Sequence, residues 1–310
     1  MTTPFKEIAS GLKFPEGPIA MPDGSVILVE IQGEVLTRVT PDGKKQVVAK
    51  MPGGPNGAAV GPKGKIYVTN NGGFTWHTLP DGRTFPSIAP PTYTGGSIQV
   101  VDPESGKVET LYDSCDGRKL NGPNDLVFDD DGGFWFTDLG KTREHVSDRG
   151  AVYYAKADGS KIEQKVFSME RPNGCGLSPD GKTLYVVETP TCRLWAFELS
   201  GPGQIKDAKG TFRGEKGRVV AGLGGYQMFD SLAIDSAGHI CVATLITGAV
   251  SDISPDGKSV TQYKFPDGMV TNVCFGGKDL RTAYATLSLT GKLVSFEWPR
   301  PGHPLKYLNR

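Results

Sequence analysis

The sequence is short of histidine, with 4, and has only 5 cysteines; neither charge is in surplus, with 34 Lys plus Arg against 34 Asp plus Glu. A neutral balance removes the basic stripe that nucleic-acid binding needs. No run approaches the roughly 20 apolar residues of a membrane-spanning helix. The N-terminal stretch MTTPFKEIASGLKFPEG lacks an apolar segment of signal-peptide length. The expectation is a cytoplasmic chain that binds neither nucleic acid nor membrane. The cysteines, Cys115, Cys175, Cys192, Cys241 and Cys274, are odd in number and form no CxxC. Buried reduced thiols fit them better than a disulfide framework. A G-x-S-x-G elbow is also missing, which excludes the usual serine hydrolase.

What is abundant is glycine, 42 residues, and proline, 23. They punctuate a repeat. The units begin PEGPIAMPDGSVILVE, PNGAAVGPKGKIYVTN, PNDLVFDDDGGFWFTD, PNGCGLSPDGKTLYVVE, FDSLAIDSAGHICVAT and TNVCFGGKDLRTAYAT, starting near residues 15, 55, 123, 172, 229 and 271. Each is two alternating apolar strands joined by a Gly-containing turn, and further pairs such as EVLTRVT and KKQVVA follow. Four antiparallel strands in each of six units predict an all-β, six-bladed β-propeller occupying residues 1–310 as one domain. The sixth unit has KLVSFEW as its third strand and then breaks at PRPGHP, so PFKEIAS from the N-terminus is expected to supply the missing outer strand and close the ring.

Strand direction sorts the chemistry. The Pro-Asp-Gly turns all fall on one face, and Asp23, Asp42, Asp130, Asp180 and Asp256 are expected to be turn residues there. The opposite face holds the starts of the inner strands. One column there reads Glu16, Asn56, Asn124, Asn173, Asp230 and Asn272. Six equivalent positions around a closed propeller converge on its axis, and converging hard oxygen donors are what a calcium-type ion needs. The column has no His or Cys, which disfavours a typical zinc or copper site. The ends of the second strands, Glu30, Asn70, Asp138, Glu188, Thr244 and Thr286, form a second layer on the same face, with Asp138 and Glu188 its more promising members. The longest loop, residues 71–96, has the length of a lid. It carries Phe74, Trp76, His77, Phe85 and Tyr93; neighbouring loops add Lys141, Arg143, His145 and Tyr226. The lid's apolar character points to a substrate less polar than a bare sugar.

The motifs FPEGP, GPNDLVFDDDG, RPNGCGLSPDGKTLYVVET and FDSLAIDSAGHICVAT together resemble the calcium-dependent lactonase family that includes gluconolactonase, regucalcin and squid-type diisopropylfluorophosphatase. The resemblance covers nearly the whole chain. It implies one divalent metal, Ca2+ by preference and Zn2+, Mn2+ or Fe2+ as alternatives, held by Glu16, Asn124, Asn173 and Asp230. It implies a small-molecule lactone or ester substrate whose carbonyl the metal polarises. Water is then the nucleophile, with Asp230 as the catalytic carboxylate and Glu16 next, or Asp230 attacks directly. Asn56, Asn272, Asp138, Glu188, Trp76, His77, Tyr93, Arg143 and Tyr226 are the candidates for substrate binding or for orienting the ligands. Three other readings stand beside this one: an organophosphate triesterase, a strictosidine synthase-like enzyme using Glu188 in VVET, and a non-catalytic propeller that keeps calcium for stability.

Overall fold

The computed structural model describes residues 2–207 and 216–310. Among them, no helix is long and apolar enough to cross a membrane; the helical content is one short turn, Pro62–Gly64. Six antiparallel sheets stand around one axis. Their innermost strands are Pro15–Ala20, Pro55–Val60, Pro123–Phe128, Pro172–Leu177, Met228–Ile234 and Val270–Gly276. These are the six starts read from the repeat. The fourth sheet, whose outer strands the repeat did not locate, is completed by Arg193–Gly201 and Arg218–Gly222. Lys6–Ala9 pairs antiparallel with Lys292–Glu297 and supplies the outer strand of the sixth sheet, so the N-terminus closes the ring as expected.

Apolar residues on the sheet faces pack between neighbouring sheets, as in the cluster of Tyr67, Phe128, Phe134 and Phe136 between the second and third. Cys115, Cys175, Cys192 and Cys241 are buried and Cys274 is partly exposed; none is paired.

Every inner strand carries a bulge near its start. In the third sheet Pro123 pairs with Asp138 but Leu126 with Phe136, so the inner strand has one residue more than its partner. The same surplus occurs between Glu16 and Ile19, Pro55 and Ala58, Pro172 and Cys175, Phe229 and Leu232, and Val270 and Asn272. A bulge bends the strand and re-aims a side chain; here it turns the polar column inward. The bulged segments also crowd one another. A Cβ on Gly57 would lie 2.6 Å from the Asn124 carbonyl oxygen, and one on Gly174 2.5 Å from the Leu232 nitrogen. The Asn-Gly pairs of the second and fourth units thus answer to the approach of the next blade's backbone.

Four of the turn aspartates behave as expected: Asp23, Asp42, Asp180 and Asp256 accept hydrogen bonds from side chains or backbone two residues away. Asp130 also lies in its turn, but there Asp129 is the cap, accepting from the nitrogens of Asp131 and Gly133, while Asp130 pairs with Arg310 of the C-terminal segment, which crosses beneath the axis on the hairpin face. Tyr307 packs edge-on against Phe128 at 5.1 Å, and His303 donates its backbone N–H to Ile234. The segment floors an axial cavity of about 320 Å³ whose walls come from the inner strands of all six sheets.

A buried ion-pair network fixes the start of this segment. Asp235, wholly buried, accepts from Arg300 Nε and from the backbone nitrogens of Ala237 and His239; Arg300 Nη2 also pairs with Asp252 at 2.6 Å, and Asp252 meets His239 Nδ1 at 2.7 Å. Replacing Arg300 by leucine strands the Asp235 charge and is expected to cost about 3 kcal/mol, read as a lower urea midpoint. The double variant Asp235→Asn, Arg300→Leu should recover part of that loss; equal losses in the single and double variants would rule out the charge as the cause.

Candidate metal and substrate site

The bulged starts bring the six column residues to the axis. Glu16, Asn56, Asn124, Asn173 and Asn272 are buried and Asp230 is half-buried. Glu16 Oε2 accepts from its neighbour's backbone, Gly17 N at 2.6 Å, and from Asn272 Nδ2 at 2.7 Å. The second carboxylate oxygen has no described protein partner. Asn272 also accepts from Val273 N through its own carbonyl, which fixes the amide with its Nδ2 toward Glu16. Asn173 donates to Thr189 Oγ1 at 3.1 Å. The side chains of Asn56 and Asn124 make no hydrogen bond to a described residue.

Asp125 belongs to this group although it was absent from the column. In the first, second and fourth units the residue after the column position is Gly17, Gly57 or Gly174; the third has aspartate there. Its carboxylate lies against the second blade, where a Cβ on Gly57 would come within 2.8 Å of Asp125 Oδ1, and Asp125 lines the axial cavity. The signal was present in PND against PEG and PNG.

Three carboxylates thus share one desolvated region. Burial pushes the Glu16 carboxyl well above the usual range, and the Asp230 and Asp125 charges push it further against the hydrogen bonds from Asn272 and Gly17. Burial also raises Asp230; Asn173 and the Arg171 charge oppose this, and Asp125 adds to it. Asp125 is pushed up to about 7 by burial. A region that resists ionisation so strongly, with carboxylate and amide oxygens left open, fits a hard divalent cation. A second group, Asp235, His239 and Asp252, places its possible ligand atoms within 4.8 Å of one another, but the Arg300 guanidinium already occupies it.

The backbone behind the column is pinned by hydroxyls from the preceding blade. Thr69 Oγ1 donates to the Asn124 carbonyl and Thr137 Oγ1 to that of Asn173, both at 2.5 Å. The expected second layer lies one residue further along. Of it, Asp138 is buried and raised to about 6 by that burial, with its oxygens accepting from the nitrogens of Asn121 and Gly140. Glu188 turns to the loop, accepting from Glu170 N and Thr191 Oγ1. Glu30 likewise accepts from Lys13 N and Thr37 Oγ1.

The lid differs from expectation. Trp76 meets Phe14 edge-on at 5.3 Å and, with Phe85, packs onto the core of the first sheet; His77 is exposed and lies against Phe85. These aromatics fasten the loop to the body, so they carry no information on substrate polarity. Tyr93 donates to Asn121 Oδ1 at 2.9 Å, Arg143 is exposed and paired with Asp148, and Tyr226 is 76% exposed. Two cations, Lys141 buried and Arg171 half-buried, stand beside the lid. Lys141 is 1% exposed, donating to Asn71 Oδ1 and Gly73 O, with its ammonium 3.9 Å from the Phe74 ring centre. Arg171 donates to Thr142 Oγ1, and its charge reaches Asp230.

The family model described as SMP-30/Gluconolactonase/LRE-like region matches residues 14–288. A gluconolactonase of Zymomonas mobilis is 27% identical over 303 residues, 90% of this chain and 77% of that protein. A 6-deoxy-6-sulfogluconolactonase of Pseudomonas putida is 31% identical, with 66% and 68% covered. Regucalcin of Agrobacterium tumefaciens, a calcium-binding protein, is 20% identical over 100% of this chain and 99% of that one, with a TM-score of 0.75, which speaks to the fold. With the matched region spanning the first inner strand to the last, the chain belongs to the SMP-30/gluconolactonase/LRE-like family.

Proposed function

We propose that this protein is a metal-dependent lactonase, with Glu16, Asn124, Asn173 and Asp230 holding one divalent cation, calcium by preference. The observation that carries the reading is the sharing of one desolvated axial region by Glu16, Asp125 and Asp230. Carboxylates so enclosed are costly unless a cation offsets them. The names of the sequence relatives support the ester bond of a lactone as the target. A bound cation supplies Lewis-acid polarisation of the lactone carbonyl.

The protein's own residues do the rest. Asp230 takes a proton from the attacking water as the water oxygen bonds to the carbonyl carbon. The ring C–O bond then breaks, and the departing alkoxide takes up the proton that Asp230 received, leaving a hydroxy acid and the ionised Asp230. Asn173, hydrogen-bonded to Asp230, and Arg171, whose charge reaches it, both favour the ionised form that can act as base. Asn272 fixes the direction of Glu16. Asn56, with an amide free of protein partners, is placed to orient substrate.

A panel of γ- and δ-lactones followed by proton release tests the reading. Asp230→Asn is expected to lower kcat by about a hundredfold or more, and a chelator to abolish turnover and lower Tm, with added calcium restoring both. Full activity in either case would sink the proposal.

Asn272→Ala should act at one remove. It frees Glu16 without removing a ligand, so calcium affinity is expected to fall roughly 10- to 100-fold. Saturating calcium should then recover most of kcat. A variant that binds calcium as tightly as the parent would show that Asn272 does not position Glu16.

A further inference from the structure

We infer that the loop face of the site carries an anion subsite, with Arg171 as the group that contacts the anion and Lys141 as its buried supporting charge. The substrate is then a lactone bearing a carboxylate substituent. The word lactone rests on the function proposed above; the anion subsite does not.

The placement of Arg171 is unusual. It directly precedes Pro172 and adopts φ 52, a left-handed conformation that costs a non-glycine residue about 1–2 kcal/mol. The backbone is held there by Thr189, whose N–H donates to the Arg171 carbonyl at 3.2 Å. The third sheet repeats this arrangement with Gly122, φ 123, whose carbonyl accepts from Leu139 N; the first repeats it with Phe14, a buried residue. Glycine therefore meets the backbone requirement, and phenylalanine at this slot packs into the core. Arginine at this slot must be explained by its side chain. That side chain uses Thr142 Oγ1 as an acceptor and makes no ion pair with a described carboxylate. The remainder of its donor fork is left without a described protein partner.

Lys141, next to Thr142 in sequence, is a second cation of the same kind. Its ammonium is received by two carbonyl oxygens, Asn71 Oδ1 at 3.1 Å and Gly73 O at 2.7 Å, and by the faces of Phe74 and Tyr93. It too has no carboxylate in direct contact among the described residues. The Asp138 charge reaches it, but that carboxylate's oxygens already accept from two backbone nitrogens.

Asn71 adds an independent observation. It is 1% exposed; its Oδ1 accepts from Lys141 and from Gly73 N, which fixes the amide orientation, and its Nδ2 is buried with no acceptor among the described residues. An unpaired buried donor beside the buried Lys141, with the half-buried Arg171 near by, is an arrangement that the described protein groups leave unsatisfied. Arg171 lies within electrostatic reach of Asp230, the candidate base, so an anion on the guanidinium fork sits at the edge of the reaction centre. A carboxylate matches that fork in geometry and charge.

The test compares two lactones on the calcium-loaded protein: 5-oxotetrahydrofuran-2-carboxylate and its neutral N-methylamide. The ratio of their kcat/KM values cancels any loss common to both. The parent is expected to prefer the carboxylate. Arg171→Gln should lower the ratio roughly tenfold to a hundredfold, mainly through KM. Arg171→Lys, which keeps the charge and loses the fork, should fall between and serves if the glutamine variant does not fold. An unchanged ratio in the folded variants overturns the inference. If neither lactone opens, the lactonase reading fails separately. The subsite is then read by calorimetry with tetrahydrofuran-2-carboxylate, which has no ester bond. Binding weakened at least tenfold by Arg171→Gln upholds the subsite; equal binding, or none to the parent, rejects it.

Discussion

The inner strands of the six sheets converge until their backbones are in contact, and the chemistry of the molecule follows from that crowding. A Cβ on Gly17, Gly57 or Gly174 would strike the next blade's main chain within 2.6 Å. The strands can pass one another only by bulging, and each bulge turns a polar side chain from the sheet toward the axis. The ring of oxygen donors is thus produced by closure itself. Hydroxyls of Thr69 and Thr137 then tie the main chain at Asn124 and Asn173 to the preceding blade, so the position of each of these two donors depends on its neighbour.

This geometry makes the electrostatics unavoidable. Glu16 and Asp125 are buried with the half-buried Asp230 beside them; the Asp230 and Asp125 charges raise the affinity of Glu16 for protons, and Asp125 raises that of Asp230. The cost of holding them there would be large in a fold that gained nothing from it, because total stability is of order 10 kcal/mol. The same loop face also keeps Arg171 and Lys141 without direct carboxylate partners among the described residues. Opposite charges are therefore held near one another but apart, carboxylates on the axis and cations at the rim. That separation suits a substrate whose two ends differ in charge.

The repeat grammar was legible because it is local: alternating strands, Asp-Gly turns and the polar residue at each strand start can be counted along the chain. From it came the six sheets, the N-terminal closure and the convergence of the column Glu16, Asn56, Asn124, Asn173, Asp230 and Asn272; the choice of four among these came from the family resemblance. Asp125 was legible in principle, as the one acid in a slot that three other units fill with glycine. The C-terminal segment was not, because its partners Asp130, Phe128 and Ile234 lie far away in sequence and PRPGHP reads only as a strand breaker. The lid was misread for a related reason. Aromatic composition cannot distinguish a ring that faces a ligand from one, like Trp76, that faces Phe14.

The floor beneath the axis decides how the site communicates with solvent. The cavity below the donor ring is walled by inner strands and closed by Tyr307, Leu308 and their neighbours, held in place through Asp130 and through Arg300 on Asp235. Its walls are apolar at Leu126, Phe128, Leu232, Ile234 and Phe275, while Asp129, Asp130, Asp180, Lys306 and Arg310 line it toward the hairpin face. The space behind the ring is thus apolar along the inner strands and charged where the C-terminal segment brings Lys306 and Arg310, with the polar loops on the other side. The C-terminal segment, which contributes no donor to the ring, thereby sets the electrostatic environment in which the donors act.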